Sequence, residues 1–368
     1  MIKVFIVDDS ATVRQVLGDI LSKAPGIRVL GAAQDPLFAM RRMEKEWPDV
    51  IILDVEMPRM DGLTFLKKIM SERPTPVVMC STLTESGSAT SITALNSGAV
   101  EVVAKPKMNM DLKYGLSDSS QLLINAIRSA ALANMKLVRA YSVKTRKIVP
   151  KTALAKGVSE NRPSSPSVPV GRIVAIGTST GGTQALEVVL SNLPRTSPAI
   201  VVVQHMPEKF TRAFANRLNG ICEVEVKEAE DNDVIKQGRV LIAPGGQHLT
   251  IQKIGSQLIA KIKNGPPVNR HRPSVDVLFR SVAATLGQHA MGIIMTGMGS
   301  DGVAGLKEMH DLGADTIAQN KATSVVFGMP AVAIERGAVD QVVPLNTIAR
   351  KIIEYGGKQT LALDTLNA

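Results

Sequence analysis

Ile51-Ile52-Leu53-Asp54-Val55-Glu56-Met57-Pro58-Arg59-Met60-Asp61-Gly62 decides the reading of the first third of the chain. A short apolar run ends in a carboxylate. A Pro/Asp/Gly turn follows, then the amphipathic stretch Gly62–Ser71. That order reads as buried strand, turn and helix. The alternation continues on both sides. Strand-like runs at Ile2–Val7, Arg28–Ala33, Val50–Val55, Val77–Cys80 and Val100–Val103 are separated by helix-like stretches such as Ala11–Lys23. Five such alternations predict a doubly wound α/β domain with a five-stranded parallel sheet.

In a parallel sheet the carboxyl ends of the strands form one rim, where ligands bind. Asp8 and Asp9 follow the first strand, Asp54 ends the third, Ser81 follows the fourth and Lys105-Pro106 the fifth. Three carboxylates, a hydroxyl and an ammonium are thus expected together. Crowded carboxylates repel, and a hard divalent cation with oxygen ligands relieves the repulsion. Mg²⁺ suits one or two carboxylates plus a phosphate. One carboxylate can then accept a phosphoryl group while metal and lysine offset its charge. Any one of these residues alone reads as a solvated cap on a strand end; the ordered set argues for a site.

The pattern breaks at about residue 136 and resumes after 169. Between them the chain is basic and ends in Arg162-Pro163-Ser164-Ser165-Pro166-Ser167-Val168-Pro169, a composition that cannot build a core. The expected division is a domain over 1–125, a helix end and Pro/Ser-rich linker over 126–170, and a second domain over 171–368. The second domain restarts with a strand at Arg172–Gly177. Further runs follow at Ala199–Gln204, Val224–Glu228, Val240–Ala243, Leu258–Lys263, Gly292–Thr296 and Asp315–Ala318. They predict a second, mostly parallel α/β sheet.

Charge is informative once it is located. The net charge is +10, but residues 1–130 hold 15 basic and 15 acidic side chains, residues 131–170 hold 8 and 1, and residues 171–368 hold 20 and 17. The excess lies in the linker rather than on a folded face, so nucleic acid is not the expected partner. Aromatic residues are 3% of the chain, too few for a base-stacking platform. Cys80 and Cys222 are far apart and read as buried thiols. No apolar run reaches the roughly 18 residues of a spanning helix, and the first residues lack the pattern of a signal peptide. The expectation is a cytoplasmic protein with no membrane insertion.

The strand at the restart runs into Ile176-Gly177-Thr178-Ser179-Thr180-Gly181-Gly182, then the helix-like Thr183–Leu190. Gly177–Gly181 fits G-x-S-x-G on a strand-to-helix turn, which lifts a serine hydroxyl into a cleft beside a helix N-terminus. The same glycines fit a phosphate cradle, although the lysine of a full phosphate-binding loop is missing. A serine nucleophile needs a base and an orienting acid. His205 ends the apolar strand Ala199–Gln204 and shares a rim with Ser179. His248 and His271 lie in turn-rich loops, while His289 and His310 read as structural. Asp301, in Gly297-Met298-Gly299-Ser300-Asp301-Gly302, sits on a loop at another strand end, where an aspartate also serves as an ordinary turn or cap. The order Ser, His, Asp differs from the α/β-hydrolase order.

The first cluster closely resembles the receiver domain of bacterial response regulators, a flavodoxin-like fold. That resemblance implies Asp54 as phosphoacceptor, and Asp8, Asp9, Asp54 and the Glu56 backbone carbonyl as Mg²⁺ ligands. It implies Ser81 and Lys105 as the switch pair, and a cis Lys105-Pro106 peptide. The aromatic switch position is Val102 here, which departs from the usual readout. The blocks Ile176–Gly182, Gln204-His205-Met206-Pro207, Ala243-Pro244-Gly245-Gly246-Gln247-His248, Arg272-Pro273-Ser274-Val275-Asp276 and Thr296–Gly302 closely resemble the chemotaxis protein-glutamate methylesterases of the CheB family. This implies a phosphorylation-activated hydrolase with Ser179 as nucleophile, His205 as general base and acid, and Asp301 as orienter. Thr180 and Met298 are the expected oxyanion donors, and no cofactor is expected for the hydrolase. The implied substrates are methyl-glutamate and glutamine side chains on chemoreceptor helices, and the implied phosphodonor is the chemotaxis histidine kinase.

Overall fold

A computed structural model describes residues 1–82, 84–106, 118–146 and 172–364. The chain divides into two compact units, Met1–Val143 and Lys144–Ala368. In the first unit β1 (Ile2–Val7), α1 (Ala11–Ser22), β2 (Ile27–Ala33), α2 (Pro36–Met43), β3 (Val50–Asp54), α3 (Gly62–Glu72), β4 (Val77–Ser81), α4 (Glu85–Asn96), β5 (Glu101–Ala104), α5 (Asp118–Ala131) and α6 (Met135–Arg146) follow in turn. The five strands form one parallel sheet in the order β2-β1-β3-β4-β5. Both faces of such a sheet are covered, which is why β3 and β4 read as unbroken apolar runs and are buried throughout.

Two helices, α5 and α6, follow the fifth strand, and the second buries Val138, Tyr141 and Ser142. Residues 135–142 belong to the first unit and form part of the helix end expected within 126–170. The apolar positions Val138 and Tyr141 are three apart, a helical spacing that puts them on one face. The Pro/Ser-rich stretch lies outside the described residues. The cis peptide among the described residues is Arg272-Pro273, not Lys105-Pro106.

The second unit runs β6 (Ile173–Thr178), α7 (Gly182–Leu190), β7 (Ala199–Gln204), α8 (Phe210–Ile221), β8 (Glu225–Glu228), β9 (Arg239–Ile242), β10 (His248–Ile254), β11 (Gln257–Lys263), α9 (Val275–Leu286), β12 (Ala290–Ile294), α10 (Val303–Asp311), β13 (Asp315–Gln319), α11 (Met329–Glu335), β14 (Gln341–Val343) and α12 (Leu345–Asp364). Seven strands form a parallel sheet in the order β14-β13-β12-β6-β7-β9-β8. β10 and β11 stand apart as an antiparallel hairpin. Its buried Leu249, Ile251, Leu258 and Ala260 join Leu278, Phe279 and Val282 of α9 in the main core. Removing the Phe279 ring would cost about 3–5 kcal/mol. The hairpin thereby fixes α9, whose first turn lies at the candidate site.

Strand order reverses between β1 and β3 in the first sheet and between β6 and β12 in the second. Crevices open at such switch points, outside the carboxyl ends of the strands. Asp8, Asp9 and Asp54 stand at the first crevice; Ser179, His205 and Asp301 follow the three central strands of the second.

Candidate functional site

Asp54 is buried at the end of β3, and its Oδ1 accepts a hydrogen bond from the Val55 N–H at 2.8 Å. Lys105 Nζ lies 2.8 Å from Asp54 Oδ2 and 2.9 Å from Asp8 Oδ2. Carboxylate oxygens of Asp8, Asp9 and Asp54 all lie within 4.8 Å of one another. Burial drives the Asp54 carboxyl up to about 6; Lys105 opposes the rise and Asp8 adds to it. Lys105 is shifted up, because its two ion pairs outweigh its own burial. Ser81 is buried at the end of β4, its hydroxyl donating to Thr82 O at 3.3 Å. Asp9 and Glu56 line one cavity of about 640 Å³ with Met57, Asp61 and Thr90. Hard oxygen donors at this spacing fit a small divalent cation. Val102 is buried in β5.

In the second unit Thr178 pairs with Gln204 in the β6/β7 register, and the His205 N–H donates to Thr178 O at 3.1 Å. Ser179 and His205 thus leave adjacent parallel strands side by side. Gly181, at φ 78°, turns the chain into α7, and a Cβ there would stand 2.5 Å from the Val325 side chain. On the other flank the Ser179 N–H donates to Thr296 O at 3.0 Å. A Cβ on Gly297 would lie 2.7 Å from Ser179 Cβ, so only glycine lets this loop approach the serine. Ser179 is largely buried but keeps 8% of its surface exposed, while Thr178 before it has none.

His205 Nε2 lies 2.7 Å from Asp301 Oδ2. Asp301 also accepts from Asn269 Nδ2 at 2.8 Å, Ser274 Oγ at 2.7 Å, the Val275 N–H at 2.7 Å and the Asp276 N–H at 3.3 Å. These last three residues open α9, so the carboxylate sits at a helix N-terminus, where donors and dipole favour an anion. Burial alone would raise its pKa. The bonds from His205, Asn269 and Ser274 win, and hold it well below the usual carboxylate range. An ionised Asp301 makes Nε2 the protonated nitrogen of the ring, which leaves a lone pair on Nδ1. Nδ1 is buried without a hydrogen-bond partner. The ring nitrogens thus exchange roles relative to the chymotrypsin arrangement, in which Nδ1 faces the acid.

The structure therefore joins His205 to Asp301 and sets Ser179 beside them; no hydrogen bond links the Ser179 hydroxyl to the ring. Of the loop histidines, His248 accepts from the Ser274 N–H at 3.2 Å and meets Pro266 O at 3.0 Å, so both its nitrogens hold backbone. His289 is exposed, and His310 lies near Asp311 and Asp340. Thr180 and Met298 flank the crevice; among the described residues the Met298 N–H donates to no protein group. The sequence reading gave no role to Asn269, His271 or Ser274. The dense polar run Asn269-Arg270-His271-Arg272, directly ahead of Pro273 and an N-cap serine, was the available signal.

Fold and site together define a class: an α/β unit with an acidic phosphoacceptor-type rim, followed by an α/β unit with a serine-hydrolase-type rim. A family model described as response regulator receiver domain matches residues 4–114, and one described as CheB methylesterase matches residues 174–352. The chain is 58% identical to protein-glutamate methylesterase/protein-glutamine glutaminase 2 of Xanthomonas campestris pv. campestris, over 95% of this chain and 99% of that one. Protein-glutamate methylesterase/protein-glutamine glutaminase 3 of Shewanella oneidensis is 56% identical over 96% and 99%. The crystal structure of the Thermotoga maritima CheB methylesterase catalytic domain is 42% identical, covers 50% of this chain and 98% of its own, and gives a TM-score of 0.49. The chain belongs to the CheB methylesterase family and carries a receiver domain ahead of its hydrolase domain.

Proposed function

We propose that this chain is a phosphorylation-activated hydrolase that demethylates glutamate methyl esters, and deamidates glutamines, on the cytoplasmic helices of chemoreceptors. The observation that carries the reading is the buried Asp301–His205 pair, with a vacant ring nitrogen, beside a serine on a strand-to-helix turn.

Ser179 Oγ attacks the ester carbonyl carbon and its proton passes to His205 Nδ1. Asp301 stays ionised and stabilises the imidazolium through Nε2–H. The oxyanion is met by backbone N–H groups of Thr180 and Met298, each contributing roughly 3–4 kcal/mol. Collapse breaks the C–O bond, and His205 returns the proton to the leaving oxygen as methanol departs. Water, deprotonated by His205, then cleaves the acyl-enzyme to a glutamate carboxylate and free Ser179. With glutamine the leaving group is ammonia.

Asp54 is the phosphoacceptor, supplied by the chemotaxis histidine kinase. Asp8, Asp9, Asp54 and the Glu56 carbonyl would hold Mg²⁺, which offsets phosphoryl charge when bound. Lys105, already on Asp54, and Ser81 turn to the phosphoryl group and convert local charge into altered packing. The unphosphorylated receiver restrains the hydrolase. The proposed division is receiver 1–125, connecting segment 126–170 and hydrolase 171–368, with a cytoplasmic location. Among the described residues no helix is long and apolar enough to cross a membrane.

The test is methanol release from methylated receptor membranes, with and without a small-molecule phosphodonor. The wild type should respond to the phosphodonor and Asp54→Asn should not. Stimulation that persists in Asp54→Asn would reject the regulatory reading.

A further inference from the structure

His271 carries a contact that the reaction just described does not use. Its ring stacks on that of His205 with centroids 3.7 Å apart and planes within 2° of parallel. The ring is delivered by a tight turn. The Val268 N–H donates to His271 O at 3.0 Å and the His271 N–H to Val268 O at 2.9 Å. The two central residues, Asn269 (φ 52°) and Arg270 (φ 67°), are both left-handed without being glycine. Such a backbone persists only where its surroundings over-determine it. Here Asn269 Nδ2 donates to Asp276 Oδ2 at 2.6 Å and to Asp301 Oδ1 at 2.8 Å, so the turn is bolted to the acid that holds His205.

We propose that His271 is a positioning residue, a flat platform that fixes the plane of the His205 ring so that Nδ1 faces Ser179 while Nε2 stays on Asp301. This rests on the reading of His205 as the base. One hydrogen bond to Asp301 fixes a point on the ring but leaves rotation about that bond. A ring held parallel at van der Waals distance removes the rotation and keeps water off that face. The platform has to be uncharged, because His205 becomes cationic during attack. The groups facing His271 are His205 on the loop after β7, Asp301 ahead of α10, and Arg270 on its own turn. Burial, then His205, push the His271 pKa down to about 3; Asp301 opposes this and Arg270 adds to it. The ring is neutral wherever the hydrolase would work.

The experiment compares His271→Phe, His271→Leu and His271→Ala in the full chain, by methanol release from methylated receptor membranes and by thermal melting. Phe keeps a flat ring that cannot titrate, whereas Leu keeps bulk without a plane. The platform predicts kcat within about threefold of wild type for Phe and down about 10–100-fold for Leu and Ala, with KM changed less than about twofold. Full kcat in His271→Ala, or Phe as slow as Leu, overturns it. If Leu and Ala fail to fold, Phe decides alone: a tenfold loss overturns the proposal and near-full activity supports it. Loss in His271→Phe of the acid limb of the pH–kcat profile would make His271 a proton carrier, which also overturns it. Ser179→Ala and His205→Gln run beside these. Activity in either would sink the base reading itself, an outcome distinct from failure of the platform alone.

Discussion

Asp54 and Asp301 occupy comparable places, each at the switch-point crevice of a parallel sheet, yet their surroundings treat them oppositely. Asp54 has one backbone N–H and one ammonium, and it shares that ammonium with the like charge of Asp8. Burial is incompletely compensated, and the carboxyl rises to about 6. Asp301 is buried as deeply but receives five donors, three of them from the first turn of α9 or its cap, and is held below the usual range. The contrast shows how one topological position yields two chemistries. A carboxylate short of partners suits the proposed phosphoacceptor, which would gain a cation or a phosphoryl group. One saturated with partners suits the proposed orienter, a fixed charge beside His205.

The largest effect that could break this comparison is expected at Ser179, the proposed nucleophile. Ser179→Ala should lower methanol release by about 10⁴-fold or more, and undiminished release would remove the enzyme reading. Asp301→Asn places an amide NH₂ where five donors converge. A loss of about 10³-fold in kcat is expected, with about 1–3 kcal/mol of stability lost in urea melts; a variant within tenfold of wild type would show that the saturated carboxylate does not orient His205. Gly297→Ala pushes a methyl to 2.7 Å from Ser179 Cβ and 2.5 Å from Met329 Sδ. It should cost about 10²-fold in kcat while phosphoryl uptake by the receiver, followed with labelled phosphodonor, stays normal.

The smallest expected effect sharpens the comparison through pH. The folded state keeps the Asp54 proton up to about 6, whereas an unperturbed aspartate releases it near 3.8. Stability therefore falls as pH rises through that window. Asp301 runs the other way: its contribution is present above the unperturbed value and is lost as pH falls toward its lower folded value. In urea melts without divalent cations, Asp54→Asn should exceed wild type by about 1–2 kcal/mol at pH 7, with the gap closing near pH 4. Added Mg²⁺ should narrow the gap by stabilising the wild type. A gap that does not change with pH would show that Asp54 is not destabilised by its own charge.

Much of this molecule can be read without coordinates, because its signals are local. Short apolar runs ending in Asp8-Asp9, Asp54, Ser179 or His205 mark strands and the rim to which they deliver chemistry, and the glycines around Ser179 and Asp301 mark the turns. Less was legible where packing, not pattern, decides. The hairpin strand His248–Ile254 went unread although Gly255-Ser256 separates it from an alternating partner.

The sequence by itself determined two parallel α/β units, since periodicity and turn residues are properties of neighbours along the chain; the proposed roles of Asp54, Ser179, His205 and Asp301 rest on the family resemblance that its motifs carry. Only the tertiary structure decided which ring nitrogen of His205 meets Asp301, that α9 turns its N-terminus to that acid, and that His271 lies flat on the His205 ring. Those facts join residues up to 96 positions apart. Side chains so distant meet only when sheet order and helix packing bring them together.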